Sequence, residues 1–150
     1  MKKIIAFTAA FFCSTVALAT PIDVTVDKKT QTMLVEVNNT PFYRWKVSTG
    51  LTKCIKKVKG KNTPGNCETP AGEYSVKWMD ADHYSDVYDN APMPHAIFFR
   101  GGYAIHGTVY PQHLGRKASH GCVRLSKTNA KALFDLVKNN KAETTITIKD

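Results

Sequence analysis

No stretch of this chain stays apolar for the roughly 20 residues that a helix needs to cross a bilayer, which excludes a membrane-spanning helix. No period repeats along its 150 residues, and no low-complexity or linker-like segment divides them. Solenoid arrays and a multidomain layout are therefore excluded, and the length suits one domain. Acidic residues are scarce: 12 Asp and Glu stand against 21 Lys and Arg, a net charge of +9. That excess raises a nucleic-acid reading. The basic run from Lys53 to Lys61, however, has no aromatic residues interleaved for base stacking. A solvated loop, or attraction to an anionic surface, fits the run better. Apolar residues, by contrast, are plentiful: 43% of the chain is hydrophobic and 10% aromatic, enough for a packed core and too much for a disordered chain.

The N-terminus reads as an address rather than as structure. Met1-Lys2-Lys3 is a short basic head, Ile4 to Leu18 is small and apolar, and Ala17-Leu18-Ala19 has the small residues that signal peptidase prefers. The expectation is a signal peptide over residues 1–19 and an exported domain over 20–150, placed in the periplasm or cell envelope. Phe11-Phe12 precede Cys13 where lipidation needs small residues, so Cys13 is read as part of the discarded segment. The remaining cysteines are Cys54, Cys67 and Cys122. In an oxidising compartment an odd count leaves one thiol over. Of the three possible pairings, Cys54 with Cys67 spares Cys122 and closes a short polar loop. That pairing is a hypothesis at this stage.

Alternating apolar residues predict strands at 22–26 and 33–37, joined by the polar turn Asp27–Thr30, and again at 42–48, 72–79, 96–100, 103–105 and 144–148. Ala130, Leu133, Phe134 and Val137 fall on one helical stripe, with Ser126 at the N-cap position and Asn139-Asn140 at the end. Many strands with one late helix imply a mostly β, sandwich-like or barrel-like domain.

The chemistry concentrates between Ile105 and Ser126. His106 ends a predicted strand, and Cys122 follows Gly121 shortly before the helix. A thiol attacks carbonyl carbon only as thiolate, and an imidazole can take its proton. The positive end of the helix could favour that thiolate, and N–H groups around Gly121 and Cys122 could hold an oxyanion. Two blander readings stay open. Cys122 could be a buried core cysteine, or it could join His106, His113 and His120 around zinc, although the spacing matches no usual paired-ligand pattern. The stretch Asp80, Asp82, His83, Asp86 and Asp89 is read as a mobile polar loop, and as a lid if it lies over the Cys122 cleft.

Ile105-His106-Gly107-Thr108, then Leu114-Gly115, then Ser119-His120-Gly121-Cys122-Val123-Arg124-Leu125 resemble the active-site motif of the L,D-transpeptidase (YkuD-type) catalytic domain family. Thr69-Pro70-Ala71-Gly72-Glu73-Tyr74 and Pro92-Met93-Pro94 with Phe98-Phe99 resemble further family segments. The resemblance implies a β-sandwich-like fold with one C-terminal helix after the cysteine, and action on peptidoglycan stem peptides without metal or organic cofactor. It casts Cys122 as nucleophile, His106 as general base and the Gly107 carbonyl as the group that orients the ring. Ser119, His120, Gly121, Arg124 and Thr108 become substrate-binding or supporting residues. The acyl acceptor is a stem peptide, a protein amine, a D-amino acid or water. The Lys-rich segment 52–69 is longer than a minimal family member needs. A hydrolase on the same fold and a non-catalytic wall-binding protein are the rival expectations. A papain-like protease is set aside, because there the cysteine precedes its histidine.

Overall fold

The computed structural model describes residues 20–58 and 61–150; the expected export segment, 1–19, lies outside them. Strands β1 (Ile22–Asp27) and β2 (Thr32–Val37) form the predicted hairpin, with Val24 opposite Val35. The Asp27 carboxylate accepts from the Lys29 and Thr30 N–H groups and so closes the turn. Strand β3 (Thr40–Lys46) continues the sheet. Next come β4 (Cys54–Val58) and β5 (Lys61–Gly65), then β6 (Gly72–Ser75), β7 (Trp78–Tyr84), β8 (Pro92–Arg100), β9 (Tyr103–Thr108) and β10 (Val123–Ser126). Helix α1 (Lys127–Val137) and β11 (Thr144–Lys149) complete the described chain. A five-stranded sheet runs in the order β3-β2-β1-β11-β6 and a four-stranded one in the order β10-β9-β8-β7. The architecture is thus the expected mostly β one with a single α-helix among the described residues.

Alternation explains the packing. Ile22, Val24, Val26, Met33, Val35, Ile146 and Ile148 point inward from the first sheet. Ile97, Phe99, Ile105, Val123 and Leu125 meet them from the second, and Ala130, Leu133 and Val137 of α1 join the same buried cluster. With a period of two, the residues between these must face the other way. Ala96, Phe98 and Ala104 do so, and they form a second small cluster against which Cys122 packs. The opposite face of the second sheet is therefore free to carry chemistry.

Three expectations need correction. The strand read over 72–79 is two strands in different sheets: β6 pairs with β11, β7 pairs with β8, and the chain crosses between sheets at Val76-Lys77. The Lys-rich segment read as a loop is a hairpin, β4 against β5, although the Cys54–Cys67 bond expected within it is present. The acidic stretch read as a mobile loop begins as strand, since Asp80, Asp82 and His83 belong to β7. Only the turn after it, Ser85 to Ala91, is irregular, and it closes on itself through Ser85 N–H to Ala91 O and Ala91 N–H to Tyr88 O.

The β4–β5 hairpin lies outside both sheets, so its cross-link carries much of its restraint. Replacing Cys54 and Cys67 together by Ser is expected to lower unfolding free energy by about 3 kcal/mol, as a loop of this length predicts, in urea titrations of the purified protein.

Candidate active site

Strand β10 pairs in parallel with β9, Val123 opposite Ile105 and Arg124 opposite His106. One residue further back along the same register, Cys122 falls beside Ala104. Ala104, His106 and Thr108 share one face of β9, so thiol, imidazole and guanidinium emerge together on the face away from the main core. They open into a cleft of about 390 Å³ whose walls include Tyr88, Met93, Tyr110 and His120. The Ser85–Ala91 turn forms one side of it.

His106 is 6% exposed. Its Nδ1 lies 2.8 Å from the Gly107 carbonyl, an acceptor only, so the proton sits on Nδ1 and Nε2 keeps its lone pair. Gly107 itself is tightly enclosed: an added Cβ would meet Pro94 O at 3.3 Å and Lys127 Cα at 3.2 Å. Burial, helped by the Arg124 charge and only partly opposed by the Gly107 hydrogen bond, holds the imidazole at a pKa of about 4. Burial also pushes the Cys122 thiol up, against the lowering effects of an Ala104 backbone hydrogen bond and Arg124. The resting pair is therefore neutral thiol and neutral imidazole. Cys122 Sγ lies 3.7 Å from the Gly102 carbonyl, to which the thiol donates.

The loop that presents Cys122 is laced from both sides. Ser119 Oγ donates to the Cys122 carbonyl and accepts from Gly121 N–H at 3.0 Å. Ser48 exchanges both backbone hydrogen bonds with Arg124, and Ala118 and Ser119 N–H both donate to Thr49 O. Thr69 Oγ1 donates to Gly121 O at 2.7 Å and accepts from Gly50 N–H at 2.9 Å. Gly121 has φ +126°, and a Cβ there would stand 2.7 Å from the Tyr103 ring. Glycine is required at that position on both counts. Arg124 Nη1 donates to Ala118 O at 3.2 Å, so this side chain also braces the loop.

The His120 ring packs against Tyr88 at a tilt of 32°, with 4.7 Å between ring centroids. Its pKa is lowered, first by burial and then by Arg124, against a hydrogen bond to the Ile55 backbone that raises it. The imidazole thus joins the β4–β5 hairpin to the Ser85–Ala91 turn. Thr108 Oγ1 accepts from Tyr110 N–H at 3.1 Å and lines the cleft. His113 stands apart from the pair, stacked on Tyr110. No group of three His, Cys, Asp or Glu side chains among the described residues is arranged to hold a metal ion.

One electrostatic expectation fails, and another loses one of its donors. Ser126 does cap α1, accepting from Asn129 N–H at 3.1 Å. But β10 intervenes, which puts the helix N-terminus on the order of 15 Å along the strand from Cys122, beyond the reach of a terminal dipole. The Gly121 N–H is already engaged by Ser119, which leaves the Cys122 N–H of the two expected oxyanion donors. Tyr103 and Thr69 carry the loop and went unrecognised as site residues; the only sequence signal was the Thr-Pro turn at Thr69.

Fold and site together define a mostly β catalytic domain with a cysteine and a histidine at its cleft. The chain belongs to the L,D-transpeptidase catalytic domain (YkuD) family, whose profile matches residues 21–148. No curated protein matches the sequence. Among solved structures, an L,D-transpeptidase from Mycobacterium smegmatis is 18% identical with a TM-score of 0.70, over 87% of this chain and 59% of that one. The L,D-transpeptidase from Xylanimonas cellulosilytica is 25% identical with a TM-score of 0.71, over 89% and 62%. L,D-transpeptidase 3 from Mycobacterium tuberculosis, solved with a faropenem-derived adduct, is 15% identical with a TM-score of 0.69, over 87% and 61%. This chain spans about three-fifths of the length of these structures.

The burial of His106 has a direct readout. In histidine-detected NMR titrations its ring is expected to stay neutral through pH 6 and to titrate near pH 4, below the ordinary 6.5. A midpoint near 6.5 would show a solvated ring.

Proposed function

We propose that the protein is an exported L,D-transpeptidase of the periplasm or cell envelope that forms a thioester between Cys122 and a peptidoglycan stem tetrapeptide. It then transfers that acyl group to an amine. The observation that carries this reading is the β9–β10 register, which sets a thiol and an imidazole with a free Nε2 side by side on a cleft-facing sheet. Family membership supports it.

The chemistry runs from a neutral pair. As Sγ approaches the carbonyl carbon at the L-centre of diaminopimelate, Nε2 of His106 takes the thiol proton. The S–C bond forms and the carbonyl becomes an oxyanion. Proton transfer coupled to attack avoids a free imidazolium, which burial and Arg124 both disfavour. The Gly107 carbonyl holds the Nδ1 proton and steadies the ring when Nε2 is charged. Collapse breaks the bond to the terminal D-alanine, whose nitrogen leaves with the proton from Nε2. An incoming amine then repeats the sequence in reverse: it loses its proton to His106, forms the amide and releases Sγ as thiol. Water in place of the amine would give the carboxypeptidase reaction on the same residues.

Mass spectrometry of disaccharide-tetrapeptide incubated with residues 20–150 tests the reading. Crosslinked dimer, or exchange of the terminal D-alanine for an added D-amino acid, is expected with the wild type and lost in Cys122→Ala. Tripeptide alone would move the assignment to hydrolysis. The kcat/KM profile is expected to fall on the acid side only near pH 4, where His106 becomes protonated and can no longer accept the thiol proton. An acid limb near 6.5 would contradict the buried-base mechanism. Ser119→Ala removes both ties across the loop and is expected to lower kcat on the order of 10- to 100-fold through misplacement of the thiol.

A further inference from the structure

The second sheet carries an aromatic platform that the acyl-transfer chemistry does not use. Trp78 pairs with Phe98, Phe98 pairs with Ala104, and Cys122 lies beside Ala104, so one lateral row crosses all four strands from Trp78 to Cys122. The Trp78 ring lies parallel to Phe98, centroids 3.7 Å apart and planes within 6°. The His83 ring stands beside this stack, nearly perpendicular to both rings, with centroids at 5.4 Å and 5.0 Å. Phe98 is 3% exposed whereas Trp78 is 44% exposed. An indole held this firmly from one side presents a rigid, open π-face at low entropic cost. Asp80, two residues on, shares its side of β7 and places a carboxylate at the rim, with lone pairs beyond those used by Asp82 N–H and His83 Nδ1.

We propose that Trp78 stacks against a sugar ring of the glycan that bears the acyl-donor stem peptide. Sugar rings present a flat array of C–H groups to an aromatic face and hydroxyls at their edge, where Asp80 can accept. Three strand spacings separate β7 from β10, about 14 Å. Between the attacked carbonyl and the glycan lie three stem residues, the second linked through its side chain, and a lactyl ether. At the reach of an extended chain that span is roughly 16 Å, which matches. This inference rests on the functional reading above and adds to it the part of the substrate that lies outside the cleft.

The test compares disaccharide-tetrapeptide with the same tetrapeptide lacking sugar as donors. Exchange of the terminal D-alanine for a free D-amino acid is the readout, so that no acceptor sugar is present. Wild type is expected to favour the sugar-bearing donor about fivefold in kcat/KM, within the worth of one aromatic stack. Trp78→Leu, which keeps an apolar cover on Phe98, should bring the ratio to about one, and Trp78→Tyr should keep most of it. A wild-type ratio of one, or a ratio that survives Trp78→Leu in protein with unchanged thermal melting, overturns the proposal. If wild type turns over neither donor, the functional reading fails, and calorimetry on Cys122→Ala decides the stacking alone. Tighter binding of the sugar-bearing peptide that is lost with Trp78→Leu supports it, and equal binding of the two peptides overturns it.

Discussion

The parallel pairing of β10 with β9 is the constraint from which the site follows. Residues at Val123 and Leu125 are fixed by the core, because they bury their side chains with Ile105 against the first sheet and α1. Once they point inward, Arg124 must point outward beside His106, and the residue before Val123 must do the same. A slip of one residue would bury Cys122 and Arg124 and expose Val123 and Leu125. The hydrophobic core therefore sets the position of the nucleophile. Parallel strands need a long connection, and here that connection is the segment 109–122, whose last turn presents Cys122. The cleft and the loop that fills its rim are consequences of the same crossover.

Burial that secures the geometry also sets the proton balance. His106 is low and Cys122 is high for the same first reason, loss of solvent around a group that would carry charge. Arg124 acts unequally on them: its charge favours a thiolate and opposes an imidazolium. An ion pair waiting at rest is thus disfavoured, and the thiol is kept from indiscriminate reaction until a carbonyl is placed for attack. The Gly107 carbonyl offsets part of that cost at the moment the ring takes the proton.

The sequence exposed more of the chemistry than of the path between its parts. Alternation located β1, β2 and β11 closely, because each buries one face only; for β9, buried on both faces, it gave only 103–105 and stopped three residues short of the strand's end. It fused β6 with β7, since Tyr74, Val76 and Met79 all pack toward the main core from both sides of a sheet crossing. It missed β4 and β5 because their polar, Lys-rich sequence shows no alternation that marks a strand; beyond its own pairing the hairpin is tied by the Cys54–Cys67 bond and by the His120–Ile55 hydrogen bond. Strand β10 was overlooked because four residues between a glycine-bearing turn and a helix cap are too few for a period to show. That last omission made the helix dipole look close to Cys122. The motif from His106 to Arg124 was legible as residues, whereas Thr69, Tyr103 and Ser48 act through backbone contacts and ring packing that leave no mark in spacing.

Charge is divided along the chain in a way that the net value hides. Residues 37–67 contain no Asp or Glu, and residues 78–99 contain no Lys or Arg. The first stretch supplies the β4–β5 hairpin and the second supplies β7 and the Ser85–Ala91 turn, and they meet at His120. That ring touches Ile55 on the basic side and Tyr88 on the acidic side. Burial lowers its pKa, so a neutral imidazole stands where a charge would attract one side and repel the other. A hydrogen bond to a carbonyl and a ring contact are short-ranged and insensitive to salt, unlike attraction between the flanking lysines and aspartates. The rim beside Cys122 is therefore held by uncharged contacts.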